Sequence, residues 1–350
     1  MRRRGHCVTL MDPYLLVGKK LAKQIGGSYT RLVQSSPQLF GTIYSLGESY
    51  RQLPYHSPVY WANGKMAKKM EEYLSAHSFD AVVMSHMYPA HILANLKSRH
   101  IPVPKSILIA TDYTCIPFME ETDCDYYVIP SPELTGEFSS YGIPLEKMLP
   151  WGIPVREEFC RRKSKAEARS LLGLSPDCGY ILLSDGSIGA GKIEETIDTL
   201  KDFLSQNSRC RLVVISGNNQ KLYRRLQKKY RQASGIRILA STSHMADYMA
   251  ACDVFITKPG GLSSTEAAVA GIPLIHISPI PGCETRNMEF FSRREMSLAV
   301  NDPRKELLPA LQALTRPDLA FEMRQAQSSF ISASSTTKLC DFTEHWAGKQ

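Results

Sequence analysis

Short apolar runs alternate with segments of helical periodicity through both halves of this chain. In the first half, Cys7 to Met11, Ala81 to Ser85, Ser106 to Ala110 and Tyr126 to Ile129 read as strands. Pro58 to His77, Ala90 to Ser98 and Pro132 to Tyr141 read as helices. The second half repeats the scheme. Its strands are predicted at Tyr180 to Ser184, Cys210 to Ser216, Ile236 to Leu239, Val254 to Thr257 and Leu274 to Ser278. Its helices are predicted at Ile193 to Gln206, Gln220 to Ala233, Met245 to Ala251 and Ser263 to Ala270. Strands separated by helices imply parallel, doubly wound sheets. A stretch rich in Pro and Gly, Leu149 to Pro154, interrupts the pattern and marks a linker. At 350 residues the chain exceeds a usual single core. The reading is therefore α/β, with a domain at 1–150, a linker at 151–157, a second domain at 158–335, and a tail or helix at 336–350.

One segment breaks the alternation. Between Leu21 and Pro54, Ile25, Tyr29, Leu32, Val33, Leu39, Phe40, Ile43, Tyr44, Leu46 and Tyr50 lie among basic and small residues. They fit an ordinary amphipathic core helix, or a lid that dips into a membrane interface. Composition narrows the class. Apolar residues make up 43% and charged residues 22%, as in a globular protein, and no apolar run is long enough to span a bilayer. Met1-Arg2-Arg3-Arg4 is not followed by a long apolar region, so no secretory signal is read there. Nine scattered cysteines without a CxxC pair read as reduced thiols of a cytosolic protein, with no zinc site. The net charge of +8 is spread over local clusters, at Arg2 to Arg4, Lys19-Lys20, Lys65 with Lys68-Lys69, and Lys221 to Lys229. These are solvated faces or, near the N-terminus, a match for anionic lipid headgroups. No nucleic-acid-binding motif accompanies them.

The candidate chemistry concentrates at Lys258-Pro259-Gly260-Gly261, followed by Leu262-Ser263-Ser264-Thr265-Glu266 and Gly271-Ile272-Pro273. An apolar strand leads into a glycine turn and then a helix opened by Ser263 and Ser264. Free N–H groups and the positive end of the helix dipole then point at one place, which suits a nucleotide diphosphate. Ser263-x-x-Glu266 is equally a capping box. After the next strand comes a polar loop, Pro279 to Asn287. Consecutive parallel strands deliver such loops to the same sheet edge. Gly186 to Ile193 nearly spells a P-loop, but Ile193 stands where a magnesium-binding Ser or Thr is required, which argues against an NTPase. Asp112 emerges at the end of an apolar strand and is the candidate general base; such an Asp is often only a turn former or cap. His86 and His91, near the end of another strand, are alternatives.

The KPGG-x(4)-EA-x(3)-G-x-P segment and the PxPGxExxN loop resemble the C-terminal half of processive diacylglycerol glycosyltransferases and monogalactosyldiacylglycerol synthases, of glycosyltransferase family 28. Thr111-Asp112-Tyr113, Cys124 to Val128, Gly152 to Val155 and Ser216-Gly217-Asn218 fall in the family's order. The resemblance implies a GT-B fold, two Rossmann-like domains facing across a cleft. It implies an inverting transfer of a hexose from a UDP-sugar to diacylglycerol or glycosyl-diacylglycerol, without a cofactor or a metal. Partners would be the UDP-sugar, a lipid acceptor and an anionic membrane surface, and not nucleic acid. The place would be the inner face of the cell membrane. Donor contacts would come from Gly186, Ser187, Ser216, Gly217, Lys258, Pro259, Gly260, Gly261, Ser263, Ser264, Thr265 and Gly282. Glu266 would bind the ribose hydroxyls, Glu284 and Asn287 the sugar hydroxyls, and Met245 would lie near the uracil. Cys283 departs from the family's usual Gln. Transfer of N-acetylglucosamine to a polyprenyl-linked acceptor is the rival enzyme reading. The family's opening strand and Gly-x-Gly-His segment are not seen; Gly5 to Leu10 matches its second strand. An inactive nucleotide-sugar-binding remnant is the non-enzyme reading.

Overall fold

The computed structural model describes residues 1–161, 163–186 and 192–348. The chain divides after Pro154 into two compact units, and the segment from Ser334 joins the first. The first unit holds a parallel sheet of Ala81–Met84 (β1), Lys105–Ile109 (β2), Tyr126–Val128 (β3) and Met148–Leu149 (β4), in that spatial order. Ile107 and Val128 from its centre are fully buried. The C-terminal helix Ser335–Ala347 covers one face of this sheet with Leu339, Phe342 and Trp346. Phe342 and Trp346 meet Tyr126 edge-on, with ring centres 4.9 and 5.1 Å away, and the Lys105 ammonium donates to the Trp346 carbonyl at 2.6 Å. Before β1 come the helices Lys19–Ser35, Pro37–Tyr50, Pro58–Gly64 and Ala67–Ala76.

Two expectations change here. Cys7 to Met11 is not a strand: no ladder forms along it, the Val8 carbonyl accepts from the Arg2 guanidinium at 2.7 Å, and Leu10 is 82% exposed. A period-2 pattern makes a strand only where a neighbour supplies the ladder. The single helix expected over Pro58 to His77 is two, broken at Lys65-Met66, where Gly64 packs tightly on Asn95.

The second unit holds six parallel strands: Gly179–Ser184 (β5), Cys210–Ile215 (β6), Ile236–Leu239 (β7), Val254–Thr257 (β8), Leu274–Ile277 (β9) and Leu298–Val300 (β10). Their spatial order is β10-β9-β8-β5-β6-β7. Val, Ile and Leu dominate β5, β6, β8 and β9, as strands covered on both faces require. The chain runs outward from β5 through β6 and β7, then returns beside β5 and runs the other way. The direction reverses between β5 and β8, and the carboxyl ends of strands at such a switch point are where open α/β sheets bind ligands.

Candidate functional site

At that switch point the register pairs Ser184, the last residue of β5, with Thr257 of β8 and Ile215 of β6. The next residues on each strand therefore share one edge: Asp185-Gly186, Lys258-Pro259-Gly260 and Ser216-Gly217. Gly186 turns with φ +72°, and a Cβ there would lie 4.0 Å from the Ser263 hydroxyl. The loop after β5 thus approaches the start of the helix Gly261–Ala270. Gly217 turns likewise, with φ +65°.

The helix Gly261–Ala270 opens two residues earlier than the sequence suggests, with Gly260 as its N-cap and no side-chain cap. Ser263 and Glu266 consequently both lie inside the helix, and the capping-box reading fails. The polar loop expected over Pro279 to Asn287 is also partly helical. Cys283–Ser292 is a helix capped by Gly282, again with no side-chain cap. Glycine caps leave the first N–H groups unoccupied by a Ser or Asp side chain, and each helix adds its dipole. Two such helix starts follow the adjacent strands β8 and β9.

Charged and amide side chains fix the turn between them. Lys258 donates to a Glu284 oxygen at 2.7 Å, and the other Glu284 oxygen accepts from the Ile280 N–H at 2.8 Å. The Asn287 amide donates to the Pro259 carbonyl at 2.9 Å, tying the two motifs together. Glu266 is half-buried, and burial foremost pushes its carboxyl up to about 7, Arg156 opposing and Glu158 adding to the shift.

Not every expected donor contact keeps its side chain for a ligand. The Ser216 hydroxyl donates to the Leu239 carbonyl at 2.9 Å and joins β6 to β7. Ser264 bonds the buried His276 ring at 2.9 Å, and Thr265 donates back to the Gly261 carbonyl at 2.7 Å. Met245 opens the helix Met245–Ala251. Ser187 lies outside the described residues. Sequence reading passed over Asp185, which is 1% exposed at the centre of this edge. Its signal was a carboxylate set directly between an apolar strand and a glycine turn.

In the first unit, Asp112 follows the carboxyl end of β2 and is half-buried. The loop after it is braced from two sides. Arg51 donates to both Glu120 oxygens at 3.0 and 2.6 Å and to the Cys115 carbonyl at 2.9 Å, while Glu137 accepts from the Thr114 hydroxyl at 2.6 Å and the Cys115 N–H at 2.8 Å. His91 is fully buried, its ring bonded to the Phe118 carbonyl at 2.8 Å and to Asn63, and burial lowers it to about 4. That is a structural histidine. His86 caps the helix Met87–Lys97 by accepting from the Tyr88 N–H at 3.2 Å.

A cavity of about 310 Å³ opens elsewhere in the second unit, beside Cys252-Asp253 and Gly271 to Pro273, which precede β8 and β9. It is therefore at the amino edge of the sheet, opposite the glycine-capped helices. Its Lys163 and Lys165 are already paired with Asp247 and Asp253, at 2.5 and 2.6 Å. Among the described residues no cluster of three or more His, Cys, Asp or Glu could hold a metal, and no helix is long and apolar enough to cross a membrane.

Known families match both units. Residues 4–155 match the monogalactosyldiacylglycerol synthase family, and residues 180–335 match the glycosyltransferase family 28 C-terminal domain. The chain belongs to these glycosyltransferase families. It is 31% identical over 214 residues to a processive diacylglycerol beta-glucosyltransferase of Staphylococcus saprophyticus, covering 61% of this chain and 54% of that one. The enzyme of the same description from Staphylococcus carnosus is 27% identical over 75% of this chain and 66% of its own length. A probable chloroplastic monogalactosyldiacylglycerol synthase of rice is 32% identical over 65% of this chain and 50% of its own length. The matched stretches thus span about half to two thirds of these relatives. Among solved structures, MurG of Acinetobacter baumannii superposes with a TM-score of 0.57 at 16% identity, covering 81% of this chain and 79% of its own. HepE of Anabaena in complex with UDP and glucose gives 0.56 at 12% identity, covering 83% and 84%. These likenesses give the fold, GT-B.

Proposed function

We propose that this family member transfers a hexose from a UDP-sugar to diacylglycerol or a glycosyl-diacylglycerol. The observation that carries the donor half is the glycine-capped helix Gly261–Ala270 at the β5/β8 switch point, with a second glycine-capped helix after the adjacent β9, an arrangement that suits a diphosphate. Glu266, one turn into the first helix, hydrogen-bonds the ribose. Glu284, oriented by Lys258 and the Ile280 N–H, and Asn287 receive the sugar hydroxyls. Met245 offers its backbone to the uracil. The acceptor half rests on the match of the first unit to a glycolipid-synthase family.

In the reaction the acceptor hydroxyl oxygen forms a bond to the anomeric carbon as the bond from that carbon to the diphosphate oxygen breaks. The hydroxyl proton passes to the Asp112 carboxylate, and UDP departs with the electron pair. Helix N–H groups and dipoles stabilise the departing charge, the kind of fixed electrostatics that contributes most to such steps. Attack from the face opposite the leaving group inverts the anomeric centre. No cofactor enters this scheme.

The first unit supports contact with lipid. On the helix Pro37–Tyr50, Leu39, Ile43 and Leu46 recur at helical spacing and are 52%, 49% and 65% exposed. Lys19, Lys20 and Lys23 are exposed on the preceding helix. An exposed apolar stripe, with exposed cations on the helix that packs against it, suits a peripheral attachment to the inner, anionic face of a membrane. The test is product analysis with diacylglycerol vesicles and UDP-glucose or UDP-galactose. Glycosyl-diacylglycerol with matching UDP release is expected. Turnover only of UDP-N-acetylglucosamine with a polyprenyl-linked acceptor would overturn the reading.

A further inference from the structure

Asp185 has no part in the chemistry above, yet it occupies the switch point itself. Lys258 follows the strand on one side of it and Ser216 the strand on the other. Its side chain is buried, and neither carboxyl oxygen has a hydrogen-bond partner among the described residues. Buried polar groups are almost always satisfied, so an orphan of this kind calls for an explanation. The nearby cation is already committed, since Lys258 bonds Glu284 at 2.7 Å. Gly186, the next residue, turns the backbone toward Ser263 at the start of the helix Gly261–Ala270. The unsatisfied carboxyl therefore lies among the groups that would surround a donor diphosphate.

A carboxylate there would repel that diphosphate, since Lys258, the cation nearby, is already paired with Glu284. A carboxylic acid would instead donate a hydrogen bond. We propose that Asp185 contacts the nucleotide-sugar donor as a neutral acid, donating its O–H to a diphosphate oxygen, so that donor affinity falls as Asp185 ionises. This rests on the reading that the diphosphate binds at the β5/β8 edge. Burial first pushes the Asp185 carboxyl up to about 7; Lys258 lowers it and Glu284 raises it. Among the other elements at this edge, β6 contributes the uncharged Ser216. The helix Gly261–Ala270 contributes Ser263 and, one turn on, Glu266, whose own carboxyl is pushed to about 7. Folded-state acidity near neutrality lets one proton be held by the free protein and drawn in more tightly by the donor.

The experiment is calorimetric binding of UDP-glucose to the full chain and to Asp185→Asn between pH 6 and pH 8.5. UDP-glucose suits this because its diphosphate is a diester with no proton to lose in that range. Asn keeps a donor but cannot ionise. The two proteins should bind within about threefold of each other at pH 6, and the wild type should be at least about tenfold weaker at pH 8.5, as follows for a group titrating near 7. Comparing the two proteins cancels the ionisation of Glu266. If the variant does not fold, the wild type alone decides. At pH 8, where Glu266 is already ionised, buffers of different ionisation heat should show close to one proton taken up per donor bound. A flat ratio, or no uptake at pH 8, overturns the role of Asp185 while leaving the donor site intact. No UDP-glucose binding at any pH overturns the donor site and the proposal together.

Discussion

At the residue scale, side chains at the strand edges divide into those open to a ligand and those that hold the fold together. Glu266 is the clearest case. It could have been a capping residue, but the helix begins at Gly261 and leaves it half-buried in the second turn. Glu266→Ala is therefore expected to weaken UDP binding by about 1–3 kcal/mol, the usual cost of a lost charged hydrogen bond, with little change in melting temperature. Calorimetry beside thermal unfolding tests this; unchanged affinity with a lowered melting point would return Glu266 to a structural role. Asp112→Asn should leave UDP-sugar binding nearly intact and cut turnover at least about 100-fold, because a general base acts on the transition state more than on the ground state. Near-normal turnover would move the base to His86, since His91 is locked to the Phe118 carbonyl and Asn63. The sequence showed the residue types at the site but not their bonding. Ser216, Ser264 and Thr265 look like ligand hydroxyls in the chain, yet each is used within the fold: Ser216 and Ser264 bond Leu239 and His276 on other strands, and Thr265 bonds the Gly261 carbonyl one turn back, which is visible only once the helix is known to open at Gly261. Asp185 was missed for the same reason: an aspartate before a glycine reads as a turn until its burial is known.

At the element scale the second unit was the more legible. β5 to β9 are short apolar runs with breakers between them, a local signal, and the structure places all five near their expected bounds. β10 and the helices Pro303–Ala313 and Pro317–Phe330 are not legible in the sequence, because their patterns are short or mixed and their packing is tertiary. The helix Pro37–Tyr50 bears on a different question. A core helix would hide its apolar face, but Leu39, Ile43 and Leu46 are exposed together. Replacing these three by Ser should lower partition onto anionic vesicles at least about tenfold, given the transfer energy of three apolar side chains, and leave UDP affinity unchanged. Vesicle sedimentation measures the first quantity. Unaltered partition would mean that this stripe does not touch lipid.

At the scale of the whole molecule, alternation of strand and helix was enough to predict two parallel α/β units, and the linker motif lies beside the division at Pro154. What the pattern could not show is that the last helix returns to the first unit. The contacts of Phe342 and Trp346 with Tyr126 join residues more than 200 positions apart, and nothing local records them. Strand order was hidden in the same way, and strand order makes the site. Because β8 returns beside β5, Gly186 approaches the glycine-capped helix after Lys258, the edge at which we propose the diphosphate binds. The measurement that tests this most directly is a crystal structure of the chain with UDP bound. The diphosphate is expected against the N–H groups that open the helix Gly261–Ala270, beside Gly186, with Glu266 on the ribose. A diphosphate seated instead at the opposite edge of the sheet, in the cavity beside Lys163 and Lys165, would contradict it.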